Sequence, residues 1–269
     1  MTPLILTLRD YPDQRLDLAP MVPQLLAGKT LAEIEHIELQ TTRRRVTAAD
    51  VFRIRMGDAT HIRIEGSGDR LDRIGERMTS GEITVEGDAG TRAGRLMAGG
   101  RLTVRGSAGP WAASGMKGGT LEICGNAGDR LGGPWNGEIA GMRGGVVIVR
   151  GRVGERAGDR MRRGTIMAEG GAGAYAGSRM IAGTLLIRGK AGPLAGYLMK
   201  RGTIVLGEGC EALPPTFPDC GVNDLVAIRL MAGFVSGFSA DAAAVFARPL
   251  RRLAGDMAVL GRGEIFLPG

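Results

Sequence analysis

Methionine and glycine recur through the middle of the chain at a nearly fixed interval. Met142 joins this series after a seven-residue insertion, and Met78 joins it with a slightly longer spacing from Gly66. In the regular repeats, the methionine lies ten residues after a glycine, and successive glycines of an uninterrupted run have an offset of 19. The regular pairs are Gly87/Met97, Gly106/Met116, Gly151/Met161, Gly170/Met180 and Gly189/Met199. A fixed period of this size is typical of a solenoid, in which each repeat forms one coil stacked on the next.

Each repeat contains a strand pattern followed by glycines. Apolar residues alternate with polar or smaller ones in pairs such as Ile83/Val85 and Leu102/Val104, which predicts strands with one buried face. The glycines that follow suit sharp corners or a close approach of neighbouring coils. About three short strands in 19 residues predict a parallel β-helix, an all-β solenoid of about seven coils.

The chain divides by pattern into three segments. Residues 1–59 are predicted to be an N-terminal cap, residues 60–209 the parallel β-helix, and residues 210–269 a C-terminal helical extension and tail. A capping-box pattern from Thr30 to Glu33 predicts a short helix. Two further helices are predicted after Asp224 and from about Ser239, with Pro249 ending or kinking the second. Both caps contain α-helix and would cover the exposed strand edges of the solenoid ends.

Composition narrows the class of protein. The 269 residues include 46 glycines and only 4% aromatic residues, so a core of small stacked side chains is expected. The start lacks the features of a signal peptide, and no run of about 18 apolar residues predicts a membrane span. Cys124, Cys210 and Cys220 are widely spaced without a CxxC motif, which argues against a disulfide framework or a metal site. We therefore expect a cytoplasmic protein that does not contact a membrane.

Positive charge is carried mostly by arginine. The formal net charge is +7, which leaves two interpretations open: an arginine surface that is solvated or pairs with partner subunits, or capture of a polyanion. Nucleic acid is the weakest polyanion candidate because no basic stretch is interleaved with stacking aromatic residues. Glu86, Glu122 and Glu169 alternate between coils with Arg105, Arg150 and Arg188. This alternation favours a cross-coil charge ladder over a pair of catalytic carboxylates.

Other candidate sites have simple structural interpretations. The methionine column could bind copper, but no Cys or His accompanies it, so core packing is expected. The repeated Gly-x-x-Gly lacks the Gly-Lys-Ser/Thr ending of a phosphate loop. Of the two histidines, we expect His36 on an N-terminal helix face and His61 at the start of a strand. Neither lies on the regular coils, which argues against the histidine-dependent acyltransferases of the left-handed β-helix class.

The enlarged coil is the most distinctive local feature. Its insertion carries Pro134, Trp135 and Asn136, and Trp111 occupies a nearby position one coil earlier. Aromatic residues are favoured anchors of protein interfaces, so these four residues form the candidate partner interface. The alternative is a loop that packs on itself and shields part of the solenoid wall.

The repeated glycine triplets carry a resemblance to a known family. They are Gly87/Gly90/Gly94, Gly106/Gly109/Ala113, Gly125/Gly128/Gly132, Gly151/Gly154/Gly158, Gly170/Gly173/Gly177 and Gly189/Gly192/Gly196, with alanine as a mild replacement in the second copy. This GXXGXXXG repeat resembles the C subunit of formylmethanofuran dehydrogenase and its counterpart in the bacterial formyltransferase/hydrolase complex. Both are similar to the C-terminal β-helical domain of the glutamate synthase large chain. The resemblance covers residues 60–207 and the tail 255–265.

The resemblance implies a right-handed parallel β-helix that serves one-carbon metabolism as a structural subunit with no catalytic site. Amidohydrolase-like, formyltransferase-like and dehydrogenase-B-like partner subunits would hold the metals and reacting groups, and the complex would use a methanofuran-type carrier. No cofactor is then expected on this chain. Its positive charge could hold the acidic, glutamate-bearing tail of the carrier or acidic partner subunits. The arginine bias favours the bacterial complex over the archaeal tungsten or molybdenum dehydrogenase.

Two other functional classes stay open. One is a structural protein like the glutamate synthase C-terminal domain, which a chain with its own caps disfavours. The other is a stand-alone β-helix enzyme, which the missing catalytic constellation disfavours.

Overall fold

A computed structural model describes residues 2–41, 44–222 and 224–269 and shows a mostly β architecture. The first strands are β1 (Pro3–Leu8), β2 (Leu16–Asp17), β3 (Glu38–Leu39), β4 (Val46–Thr47), β5 (Phe52–Arg55), β6 (Asp58–Ser67), β7 (Leu71–Asp72), β8 (Glu82–Gly87) and β9 (Arg101–Val104). They are followed by β10 (Thr120–Ile123), β11 (Arg143–Val149), β12 (Arg163–Ala168), β13 (Thr184–Ile187), β14 (Arg201–Leu206), β15 (Asp219–Val222), β16 (Leu250–Gly255) and β17 (Arg262–Pro268).

Helices lie in the two flanking segments. They are α1 (Pro23–Leu26), α2 (Leu31–Glu35), α3 (Ala48–Val51), α4 (Val226–Ser236) and α5 (Ala240–Ala243), which a short 3₁₀ helix (Ala244–Ala247) extends. The predicted capping box opens α2, where the backbone N–H of Glu33 donates to Thr30 Oγ1. Ser239 caps α5 as predicted, and the helical segment ends before Pro249. Prolines are disfavoured inside a helix, which explains this end.

Thirteen of the described strands form one sheet in the order β15-β16-β17-β14-β13-β12-β11-β10-β9-β8-β6-β1-β5. The run from β17 to β1 is parallel throughout, and only the pairings of β5, β15 and β16 at the two ends are antiparallel. Two small sheets, β2-β7 and β3-β4, flank the long one. A long parallel sheet assembled in chain order is consistent with the expected β-helix. It also continues into both flanking segments, through β1 and β17.

The register stacks equivalent residues of neighbouring coils. Thr165 pairs with Thr184, and Thr184 with Thr203, so residues 19 apart lie side by side in β12, β13 and β14. The pairing of Thr120 with Val146 spans a longer interval because the enlarged coil lies between them. A second row of parallel bridges joins Ala89, Ala108, Ala127, Val153, Ala172, Ala191 and Cys210.

The methionine column fills the interior between coils. All seven side chains, from Met78 to Met199, are fully buried, which confirms their predicted place in the core. Met161 illustrates the packing: a Cβ added to Gly183 would lie 2.9 Å from its Cε atom. The methionine Cε atom is likewise close to a Cβ added to the glycine in the pairs Met78/Gly100, Met97/Gly119, Met116/Gly145, Met142/Gly164 and Met180/Gly202. Each methyl group therefore occupies the space that a glycine leaves open.

Two glycines of one coil show that glycine is needed at different positions of the triplet for different reasons. A Cβ at Gly173 would lie 2.8 Å from the backbone nitrogen of Glu155, so close approach of coils requires glycine there. Gly177 has a φ of +70°, a conformation that other residues adopt at a cost. Ala113 occupies the position equivalent to Gly177 with a φ of 56°. The cost of that replacement is therefore conformational.

A second, smaller core lies on the outside of the long sheet. Ile148, Met167, Leu186, Val205 and Phe266 point to this face from consecutive strands, and they pack against Val235, Ala242 and Val245 of the C-terminal helical segment. The helices α4 and α5 therefore cover the outer face of β11 to β14. This packing attaches the C-terminal extension along the wall of the sheet as well as at its end.

Candidate functional site

The enlarged coil brings the two tryptophans of the candidate interface together. Trp111 and Trp135 meet edge to face, with ring centroids 5.0 Å apart and planes at 72°. The guanidinium of Arg92 lies 4.8 Å from the Trp135 ring, and that of Arg130 lies 5.6 Å from the Trp111 ring. Each such contact contributes about 1 kcal/mol. The insertion is thus held against the neighbouring turns by two packed rings with one cation on each.

Exposure divides the four candidate interface residues. Pro134 is buried, Trp111 and Trp135 are half-buried, and Asn136 is exposed. Ile139, four residues after Trp135, is 83% exposed. The loop therefore packs on its own wall with the tryptophans while it presents Asn136 and Ile139 at its tip. Contact of these residues with a partner stays a prediction.

A buried carboxylate network anchors the loop. Glu138 accepts a hydrogen bond of 3.2 Å from the backbone nitrogen of Trp135 and pairs with Arg95, which also binds Glu76 at 2.9 Å. Burial raises the pKa of Glu76, but hydrogen bonding and charge from Arg73 and Arg95 outweigh burial, so this pKa lies below its ordinary value. Glu76 is therefore ionised at neutral pH although only 2% of it is exposed. The network fixes the position of the enlarged coil.

The predicted charge ladder exists in part. Arg150 bridges Glu122, at 2.7 Å, and Glu169, which confirms the ladder at this arginine. Ser239, the cap of α5, also donates to Glu169, so the ladder ties the C-terminal helices to the sheet.

The other ladder arginines bind differently. Glu86 pairs with Arg63, at 3.1 Å, and forms no ion pair with Arg105 among the described residues, so the ladder does not extend to these two residues. Arg188 uses its Nε to donate to the backbone oxygen of Glu169, at 3.0 Å, rather than to a carboxylate. The sequence alternation could not show which side chains are long enough and correctly turned to meet.

His36 lies on the N-terminal helix as expected, whereas His61 lies inside a strand rather than at its start. His36 ends α2, with Nδ1 2.6 Å from the carbonyl oxygen of Ala32. His61 lies in β6, exposed, 3.4 Å from Asp58 and 3.8 Å from Glu82. Across residues 2–41, 44–222 and 224–269, no group of three or more His, Cys, Asp or Glu side chains is arranged to hold a metal ion. Within the same ranges, no helix is long and apolar enough to cross a membrane.

An exposed apolar face on α4 was missed by sequence reasoning. Val226, Leu230 and Phe234 are 62%, 70% and 48% exposed, although the opposite side of the helix packs on the sheet. Their spacing of four residues places them on one helix face and could have been read from the sequence once the helix was assigned. Contiguous exposed apolar surface marks sites of protein interaction. This face is a second candidate interface.

These features define a repeat protein built on one long parallel sheet, with a buried methionine column inside and exposed apolar patches outside. The C subunit of the formyltransferase/hydrolase complex Fhc from Methylorubrum extorquens is 51% identical over 263 residues, which cover 98% of each chain. A crystal structure of that organism's formyltransferase/hydrolase complex with methylofuran contains a chain that matches with a TM-score of 0.94 and 43% identity, over 98% of this chain and 99% of that one. No family model matches the chain.

The chain belongs to the family of the C subunit of the formyltransferase/hydrolase complex. It is also similar, over only about a third of each chain, to the C subunit of the tungsten-containing formylmethanofuran dehydrogenase 2 of Methanothermobacter marburgensis, with 36% identity. The family resemblance expected from the glycine triplets is thereby confirmed. Membership in a heteromeric assembly follows for the family, since the matching crystal structure is that of a complex.

Proposed function

We propose that this chain is the structural, non-catalytic β-helix subunit of a formyltransferase/hydrolase complex and organises its catalytic subunits. The observation that carries the proposal is the relationship to the C subunit of such a complex along 98% of both chains. A match confined to the repeats would support only the fold. Here the caps, the enlarged coil and the tail are included in the aligned region.

The exterior of the protein supports an organising role. The exposed face of α4 and the tip of the enlarged coil both present apolar side chains to solvent, including Leu230 at 70% and Ile139 at 83% exposure. Such patches destabilise an isolated protein in water and are expected where a partner protein covers them. The interior is filled by the methionine column and by alanines, so the stacked coils act as a rigid spacer between these surfaces.

The finer architecture belongs to the same proposal. We assign the coils a right-handed course, about seven turns and a 19-residue period, with a β-helix over residues 60–209 between an N-terminal cap (1–59) and a C-terminal helical extension and tail (210–269). The residue pairings in β12 to β14 and the second row of bridges support this assignment. Parallel crossover connections are almost always right-handed.

The transferase/hydrolase assembly is favoured over the redox dehydrogenase. Similarity to the C subunit of the tungsten-containing enzyme covers 32% of this chain, against 98% for its Fhc counterpart. The proposed partners are amidohydrolase-like, formyltransferase-like and dehydrogenase-B-like subunits in the cytoplasm, and metals are assigned to the partners. The carrier is proposed to be of the methanofuran type, since the matching complex contains methylofuran.

Affinity purification from the native source tests this function. A tag on the exposed C-terminal glycine is expected to recover the chain with amidohydrolase-like and formyltransferase-like subunits in fixed proportion. The recovered complex should transfer and hydrolyse formyl groups, whereas the chain purified alone should do neither. Recovery of the chain as an active monomer would refute the proposal, and so would recovery with amidotransferase or flavin domains.

A further inference from the structure

A cleft on the outer wall of the coils is lined by cations. It has a volume of about 510 Å³ and lies beside the starts of β11, β12 and β14. Five of its lining residues are basic and exposed, namely Arg143, Arg162, Arg163, Lys200 and Arg201. Ile181, Ala182 and Leu260 complete it, so apolar surface separates the cations. No carboxylate is among the described residues that line this basic cleft.

The cations of the basic cleft have no anionic partner within the described part of the chain. Some surface arginines elsewhere are paired, as Arg150 is with Glu122 and Arg251 with Asp219, whereas others are isolated from carboxylates one at a time. In the described ranges, none of the five basic side chains of the cleft forms an ion pair or an intramolecular side-chain hydrogen bond. The basic cleft therefore gathers five unpaired cations around one cavity.

The strand register places like charges side by side. Arg143 of β11 is the direct partner of Arg163 in β12, and Arg201 of β14 is the direct partner of Arg262 in β17. Like charges opposite one another on adjacent strands destabilise a sheet. An anionic partner would convert this repulsion into attraction, because one carboxylate can accept hydrogen bonds from two neighbouring guanidinium groups.

We propose that the basic cleft binds an acidic, extended segment of a partner subunit, which inserts Asp or Glu carboxylates between the arginines. The inference rests on the proposed function, because it assigns one surface of this chain to one kind of contact. The cations follow the stacking direction of the coils, so a segment laid along that direction meets several of them in turn. The apolar strip of Ile181, Ala182 and Leu260 accommodates the methylene groups or small apolar residues between the carboxylates.

The test compares two charge-matched variants of the full chain. The cleft variant is Arg143→Ala/Arg163→Ala/Arg201→Ala. The control variant removes three arginines that form no ion pair in the described residues and lie away from the cleft; its substitutions are Arg53→Ala, Arg55→Ala and Arg105→Ala. Both lose three positive charges, and a thermal melt establishes that each is folded. If the triple cleft variant does not fold, the single change Arg163→Gln takes its place.

Two readouts are required. The first is fluorescence anisotropy of a labelled hexaglutamate peptide titrated with each chain, which should bind the cleft variant roughly tenfold more weakly than the wild type, while the control variant binds as the wild type does. The second is the salt concentration that releases the tagged chain from its co-purified partners, which should fall for the cleft variant only.

The outcomes separate this inference from the proposed function. If the wild-type chain co-purifies with its partners but both variants behave alike, the basic cleft is a solvated surface and the inference is overturned while the proposed function stands. If a single-stranded oligonucleotide binds the cleft more tightly than hexaglutamate and partner release is unchanged, the cleft serves nucleic acid and the inference is again overturned. If the wild-type chain recovers no partner, the proposed function itself fails.

Discussion

Truncation of one methionine in the column should destabilise the protein strongly. Met161 is fully buried, and the alanine variant removes its Cγ, Sδ and Cε atoms from the core. Burial of three such groups is worth about 2 kcal/mol, at about 0.8 kcal/mol each. The cavity adds to this cost, because the Cε atom packs over Gly183, whose missing side chain cannot fill the space. We expect a total of about 3 kcal/mol for Met161→Ala.

Differential scanning calorimetry measures this effect. For a chain of this size, about 3 kcal/mol corresponds to a Tm decrease of roughly 6–12 °C. The matched control is Met257→Ala, since Met257 is 66% exposed and its truncation should change stability by less than about 0.5 kcal/mol. Equal and small shifts for the two variants would refute the stacked interior. A larger loss of stability for Met257→Ala than for Met161→Ala would place the methionine column outside the core.

Three further predictions concern the coils, the C-terminal edge and the enlarged coil. Gly173→Ala should cost about 1–3 kcal/mol in chemical denaturation because its methyl group meets the backbone of the previous coil, whereas Gly233→Ala, in an open helical position, should not destabilise. A hydrogen bond from Arg251 lowers the pKa of Asp219 to about 2, so its contribution to stability is complete above about pH 4 and is lost as the pH falls towards 2. Titration of this carboxyl by NMR checks the value, and Arg251→Gln should raise the pKa towards its ordinary value, while the hydrogen bond from the Gly221 backbone N–H still lowers it. Glu138→Ala should free the enlarged coil, so that limited proteolysis cuts there first; unchanged cleavage would show that the aromatic contacts alone hold it.

The coils could be predicted from the sequence because the sequence repeats locally. Each coil repeats the same alternation and the same glycines, so the buried methionines and the paired strands could be inferred from one-dimensional spacing. The helix starts at Thr30 and Ser239 could also be predicted from the sequence, because a capping side chain bonds to a backbone N–H only three residues away.

Contacts between segments that are distant in the chain could not be predicted from the sequence. Met167, Leu186 and Val205 break the alternation of their strands, but only the structure shows that α4 and α5 cover them. The same limit applies to the candidate site: the tryptophans could be proposed as neighbours from their coil positions, whereas the link from Glu138 through Arg95 to Glu76 depends on side-chain rotamers. The basic cleft likewise arises from residues dispersed over four coils and a C-terminal turn.

The central claim is that the stacked coils hold a catalytic assembly together without performing its chemistry. The most direct measurement compares formyl transfer and formyl hydrolysis by the isolated full chain, by the partner subunits alone, and by the two combined. The account predicts no turnover by the isolated chain above the buffer rate, weak or absent coupled turnover by the partners alone, and restoration when the folded chain is added. Turnover by the isolated chain, or full coupled activity of the partners without it, would contradict the account.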